Sequence, residues 1–173
     1  MAKSMNLHGK LSSRYKGIAS LWIVLLVCSA QVALADNWSL TDKDGVKLTL
    51  AGLQGKWVLV NFWAPWCPPC IQEMPELDSI QNHHKDLQVI GVAVMYGSRK
   101  EVTEVLTKQS VSYPIVYGNE DTAGDFGGID GLPTSFLYSP TGKLVGHHQG
   151  PLTQRELEQV IGSNSGNQSL FVR

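Results

Sequence analysis

Two cysteines separated by two prolines, Cys67-Pro68-Pro69-Cys70, are the residues of this chain best suited to covalent chemistry. They follow a run of mostly apolar β-formers, Trp57 to Trp63 (WVLVNFW), and precede a helical pattern, so they fall where a buried strand ends and a helix begins. At such an entrance the unpaired backbone N–H groups and the helix dipole stabilise an anion, which lowers a thiol pKa and makes a thiolate nucleophile near neutral pH. Cys67, at the entrance, is the expected attacking sulfur, and Cys70, one turn inside, is the expected resolving one. Attack on a substrate disulfide would give a mixed disulfide with Cys67, and Cys70 would then resolve it, leaving a Cys67–Cys70 disulfide and a reduced substrate. Pro68 and Pro69 carry no N–H, so two donors that could stabilise the thiolate are missing. That argues against a strong oxidant and leans the pair toward reduction.

A C-x-x-C pair closes too small a loop to stabilise a fold much, so its purpose is chemical rather than structural. The same spacing also suits half of a zinc site, which needs two further ligands. The remaining cysteine, Cys28, lies in an N-terminal segment read below as removed, and His83-His84 and His147-His148 are adjacent pairs whose side chains diverge. No metal and no cofactor is therefore expected. A dithiol that simply holds Cu(I) is the non-enzymatic alternative.

The elements that must position this pair are legible in outline. The helix from Pro68 places Ile71, Met74, Leu77 and Ile80 on one stripe, which is core-facing, with Pro75 expected to kink it. Leu87 to Met95 (LQVIGVAVM) is a second buried strand, and strand, helix, strand implies a right-handed crossover to a parallel neighbour. Ser98 with Glu101, and Thr153 with Glu156, have capping-box spacing, and Leu152 with Leu157 has that of a hydrophobic staple. Thr134 to Tyr138 and Lys143 to His147 flank Ser139-Pro140-Thr141-Gly142, a type I turn, which adds a hairpin and makes the sheet mixed. Lys47 to Leu50 is a short strand after the Asp44-Gly45 turn.

The 173 residues suffice for one domain. Four basic residues and no acidic one precede residue 17, an apolar run from Ile18 to Ala30 follows, and Ala33-Leu34-Ala35 offers a small-x-small cleavage site. Residues 1–35 are thus expected to be a signal peptide, with a retained membrane anchor as the alternative; residues 36–162 form the domain, and 163–173 a flexible tail. From Asp36 onward 10 basic residues face 15 acidic ones, which gives no electrostatic footprint for nucleic acid.

Val60 to Cys70 (VNFWAPWCPPC) resembles the active-site strand and loop of thioredoxin-like proteins. Pro75 matches their helix-kinking proline, and Gly131-Leu132-Pro133-Thr134 is similar to their cis-proline loop. The closest likeness is to exported TlpA/ResA-type thiol:disulfide reductases, including those of cytochrome c maturation. It implies an α/β thioredoxin-like fold, a mixed central sheet flanked by helices, with an added N-terminal β-hairpin and an inserted segment around Ser110 to Phe126. It also implies a cis peptide before Pro133, whose loop would present a backbone edge at Leu132 to an extended client, and a substrate surface of Trp66, Pro68, Pro69, Leu132, Pro133 and Thr134. Cytosolic thioredoxins commonly have an Asp where this chain has Asn61, which cannot accept a proton. The exported reductases often place a Glu where this chain has Glu73, three residues after Cys70. Partial burial would raise its pKa and suit it to take the Cys70 proton, whereas Glu76 is expected to be solvated.

The expected function is thiol:disulfide exchange outside the cytoplasm, in the periplasm or an equivalent compartment, reducing disulfides of client proteins, apocytochromes c among them. The likeness implies a membrane thiol-electron transporter as donor; a monomer is expected. A periplasmic oxidant or isomerase is the alternative direction. A thiol peroxidase is disfavoured, because the residue three before Cys67 is Ala64 where those enzymes place a Thr.

Overall fold

The computed structural model describes residues 37–162 and 170–172; the segment read as a signal peptide and residues 163–169 lie outside the described residues. Seven strands and four helices alternate in the order β1 (Ser39–Thr41), β2 (Lys47–Thr49), β3 (Trp57–Trp63), α1 (Pro68–His83), β4 (Leu87–Ala93), α2 (Arg99–Gln109), β5 (Ile115–Tyr117), α3 (Glu120–Gly124), β6 (Thr134–Tyr138), β7 (Leu144–Gln149) and α4 (Gln154–Gly162). A 3-10 turn, Ala51–Leu53, lies between β2 and β3.

The central sheet has five strands in the order β5-β4-β3-β6-β7, while β1 and β2 form a separate antiparallel hairpin. β3 pairs in parallel with β4 and antiparallel with β6, so the sheet is mixed as its sequence pattern requires. β3 is central and buried on both faces, which is why its seven residues are apolar almost throughout. Alternate residues feed two cores. Leu59, Trp63, Val89, Ala93 and Leu137 pack with Met74, Leu77 and Ile80 of α1 and with Leu157 and Val160 of α4. Val60, Phe62, Val92 and Phe136 face the other way, toward Trp38 and Leu40 of the hairpin segment and Phe126 after α3. Phe62, Phe126 and Phe136 meet there with ring centroids 5.2–5.8 Å apart.

Several local expectations change in detail. β4 stops at Ala93 rather than Met95, because Met95 adopts a left-handed backbone (φ 52°). Ile71 is only partly buried, since it lies at the open end of the stripe beside the dithiol. The Ser98 side chain does not cap the α2 backbone; its hydroxyl donates to Glu101, which instead accepts the N–H of Gly97. The Thr153–Glu156 box forms fully, and Leu152 and Leu157 are both buried. The Ser139–Gly142 turn closes with the Gly142 N–H on the Ser139 carbonyl at 2.8 Å.

The tail expectation needs correction at its end. Val172 exchanges two backbone hydrogen bonds of 2.8 Å with His147, extending the sheet beyond β7, and Phe171 is buried in the α1 core. Gly146 permits this approach, because a Cβ there would lie 2.8 Å from the Val172 carbonyl oxygen. His148 Nδ1 adds a contact to the Leu170 carbonyl at 2.9 Å. A tail free in solvent would contribute nothing to stability. Phe171→Ala should instead lower the unfolding free energy by about 3 kcal/mol, as large-to-small core changes do; a urea denaturation curve that superimposes on that of the unaltered protein would refute the docked arrangement.

Candidate active site

Cys67 and Cys70 are joined by a disulfide at the start of α1. Cys67 is the N-cap, with its backbone extended and two prolines following at the first helical positions. The Cys70 N–H is the first amide of the helix free to point outward, and it donates to Cys67 Sγ at 3.4 Å. One N–H therefore reaches the sulfur where a helix without those prolines could offer more. Both cysteines are buried, Cys67 4 % exposed and Cys70 not at all.

Below the disulfide, Glu73 projects from the next turn of α1 and is 2 % exposed. One carboxyl oxygen accepts an N–H from the Asn61 side chain on β3 at 2.8 Å. The other accepts the backbone N–H of Leu152, just before α4, at 2.9 Å. Burial pushes the Glu73 pKa up to about 7, and these two donors hold it from rising further. Asn61 spends its second N–H on the hydroxyl of Ser135 on β6, at 3.0 Å. Asn61 and Ser135 are partners in the β3–β6 register, so the polar row across the sheet follows from strand pairing.

Reading Asn61 only for its inability to accept a proton missed its role as a donor to Glu73, and Ser135 and Leu152 gave no local signal at all. Glu76, expected to be solvated, accepts the Gln154 N–H at 3.2 Å, so two acids of α1 tie down the start of α4. Trp66 is 59 % exposed, yet its indole N–H donates to the Met95 carbonyl at 2.6 Å, which fixes the ring at the rim and helps hold Met95 in its left-handed conformation. Pro68 and Pro69 are exposed beside it.

The Leu132–Pro133 peptide is cis. Leu132 packs against the core cluster that contains both cysteines, and Pro133 and Thr134 are buried behind it, with the Thr134 hydroxyl donating to the Gly131 carbonyl at 2.8 Å. Each histidine of the adjacent pairs has a local contact: His83 with the Ser79 carbonyl, His84 with Glu158, His147 with the Phe136 ring and His148 with Leu170. Among the described residues no group of three or more His, Cys, Asp or Glu side chains is placed to hold a metal ion.

Comparisons with known proteins agree with this geometry. The family model described as "AhpC/TSA family" matches residues 33–147. The thiol-disulfide oxidoreductase ResA of Bacillus subtilis (strain 168) is 36 % identical over 128 residues, covering 73 % of this chain and 72 % of the relative. The thioredoxin-like protein YneN of the same organism is 33 % identical, covering 73 % and 76 %. Among solved structures, a thiol:disulfide interchange protein of the thioredoxin family from Chlorobium tepidum TLS superposes with a TM-score of 0.65 at 29 % identity, covering 73 % of this chain and 91 % of that one.

The buried carboxyl has a measurable signature. Its folded pKa of about 7 lies above the ordinary 4.5, so the native state holds a proton that the unfolded chain has released between those values. The stabilisation is complete below pH 4.5 and is lost as pH rises through 7. In the disulfide form, the unaltered protein should lose roughly 3 kcal/mol across that window relative to Glu73→Gln. Parallel stability–pH curves for the two proteins would show that Glu73 titrates normally.

Proposed function

The chain belongs to the AhpC/TSA family of thioredoxin-like proteins, and from that premise we propose that it is an exported thiol-disulfide oxidoreductase that reduces disulfides of client proteins. Exchange itself is the activity of the relatives, and this chain carries a C-x-x-C pair joined as a disulfide. The reductive direction rests on one observation: a single N–H reaches Cys67 Sγ, in front of a buried carboxyl on the same helix. A strong oxidant owes its potential to a stabilised thiolate in its reduced form. Here two prolines remove donors, and an ionised Glu73 repels a thiolate, so the reduced form gains less and gives up its electrons more readily.

The cycle then runs as follows. The Cys67 thiolate attacks one sulfur of a client disulfide, an S–S bond forms to Cys67, and the other client sulfur leaves as a thiolate that takes a proton from solvent. Glu73 accepts the proton of Cys70, and the Cys70 thiolate attacks Cys67 Sγ. The mixed disulfide breaks, the client leaves with two thiols, and the protein is left in the disulfide form described above. Trp66, Pro68 and Pro69 on one side, and Leu132 on the other, backed by the buried Pro133 and Thr134, supply the surface on which the client lies. A membrane thiol-electron transporter returns two electrons to the pair. Residues 1–35 direct export, and clients include apocytochromes c, whose haem-attachment thiols must be reduced. Among the described residues no helix is long and apolar enough to cross a membrane.

The reduction potential tests direction. A value near −230 mV or lower is expected, and one near −120 mV would make the protein an oxidant. Trapping tests the roles: Cys70→Ser should accumulate a client joined through Cys67, Cys67→Ser should trap nothing, and Glu73→Gln should slow release from the mixed disulfide by about 100-fold. Release at an unchanged rate in Glu73→Gln would remove that residue from proton transfer.

A further inference from the structure

Tyr113, two residues before β5, has its side chain buried, 3 % exposed, and its hydroxyl has no hydrogen-bond partner among the described residues. Two more buried polar atoms on the same face of the sheet also lack partners: the Trp63 indole N–H and Asn61 Oδ1. Gly91 marks where their side chains approach β4. It stands opposite Asn61 in the β3–β4 register, and a Cβ on it would lie 2.8 Å from Ile115 Cδ1, 3.0 Å from the Tyr113 ring and 3.3 Å from Trp63 Nε1. With no side chain there, Tyr113 lies across β4 close enough to Glu73 for the two to interact electrostatically. Its pKa is raised by burial first, then by Glu73 and Asp78, so it stays a neutral phenol.

The three atoms are chemically complementary. The indole N–H only donates, the amide oxygen only accepts, and the phenol does either, which is a bonding set for one buried water. We propose that Tyr113 is a positioning residue for the Glu73 carboxyl, acting through a buried water held by its hydroxyl, Trp63 Nε1 and Asn61 Oδ1. The water donates to Asn61 Oδ1, which fixes the amide so that its N–H groups point to Glu73 and Ser135. A fixed amide stabilises the ionised carboxylate more than a loose one. The other donor to Glu73 is the Leu152 N–H from before α4; farther off are Asp78 on α1, which acts on Tyr113, and His148, the β7 partner of Ser135.

This inference rests on Glu73 being the proton acceptor only for its bearing on catalysis, and the two fail separately. In the full chain in its disulfide form, where neither cysteine titrates, the Glu73 carboxyl is followed by carbon NMR. Tyr113→Phe should raise the titration midpoint by about half a pH unit or more, given the strength of hydrogen bonds to charged groups. Unfolding free energy should fall modestly, because the water held by the hydroxyl loses one of its partners. An unchanged midpoint overturns the proposal, since a merely structural tyrosine would leave it so. In the unaltered protein, the Trp63 indole N–H should show a cross-relaxation signal to a long-lived water; its absence overturns the proposal without any variant. If the midpoint moves while Glu73→Gln leaves release from the mixed disulfide unaltered, the positioning role stands and the acceptor role falls.

Discussion

A carboxyl group sealed beneath a disulfide is the constraint on which the rest of this structure depends. Glu73 occupies α1 among residues that are otherwise apolar on their buried side, and an unpaired carboxylate there would carry a prohibitive desolvation cost. Its two oxygens are met by donors from distant parts of the chain, Asn61 on β3 and the Leu152 N–H before α4. Asn61 is in turn held by Ser135 on β6. The sheet order, the docking of α1 on β3 and the start of α4 must all be correct before that carboxyl is satisfied. The Glu76 contact to Gln154 and the Thr153–Glu156 box fix the same helix start by separate means.

The elements were legible because each has a strong local signal. The seven apolar residues of β3, the stripe of Met74, Leu77 and Ile80 and the capping pair at Thr153 are all spacing effects within a few residues. Cys67 and Cys70 were legible for the same reason, lying at the start of one helix, whereas Glu73 stood out only through the resemblance to exported reductases. Ser135 and Tyr113 were not, because their relation to Glu73 runs through strand register across β3, β4 and β6 rather than through sequence spacing. Phe171 was hidden more deeply. It follows a polar stretch that reads as frayed, and only a neighbouring strand with a glycine at position 146 gives it somewhere to pack.

The rim of the site is built on a different principle from its floor. Below the disulfide both oxygens of the Glu73 carboxyl and both N–H groups of the Asn61 amide have protein partners, so their geometry is fixed by hydrogen bonds in the interior. Above it, Trp66 and Met95 are exposed apolar side chains linked by one hydrogen bond from indole to carbonyl. An exposed indole anchored in this way offers a large contact area at little entropic cost to an arriving chain. Pro68 and Pro69, exposed beside it, add rigid apolar surface without backbone donors.

Floor and rim meet in the electrostatics of α1. Its N-terminus favours negative charge at Cys67, while burial disfavours it at Glu73 a turn and a half away. In the disulfide form neither sulfur is charged, and the carboxyl alone decides where the proton sits. After reduction a Cys67 thiolate and a Glu73 carboxylate would be like charges on one helix turn and the next, each raising the other's proton affinity. The two prolines keep the helix dipole from overwhelming this balance in favour of the thiolate.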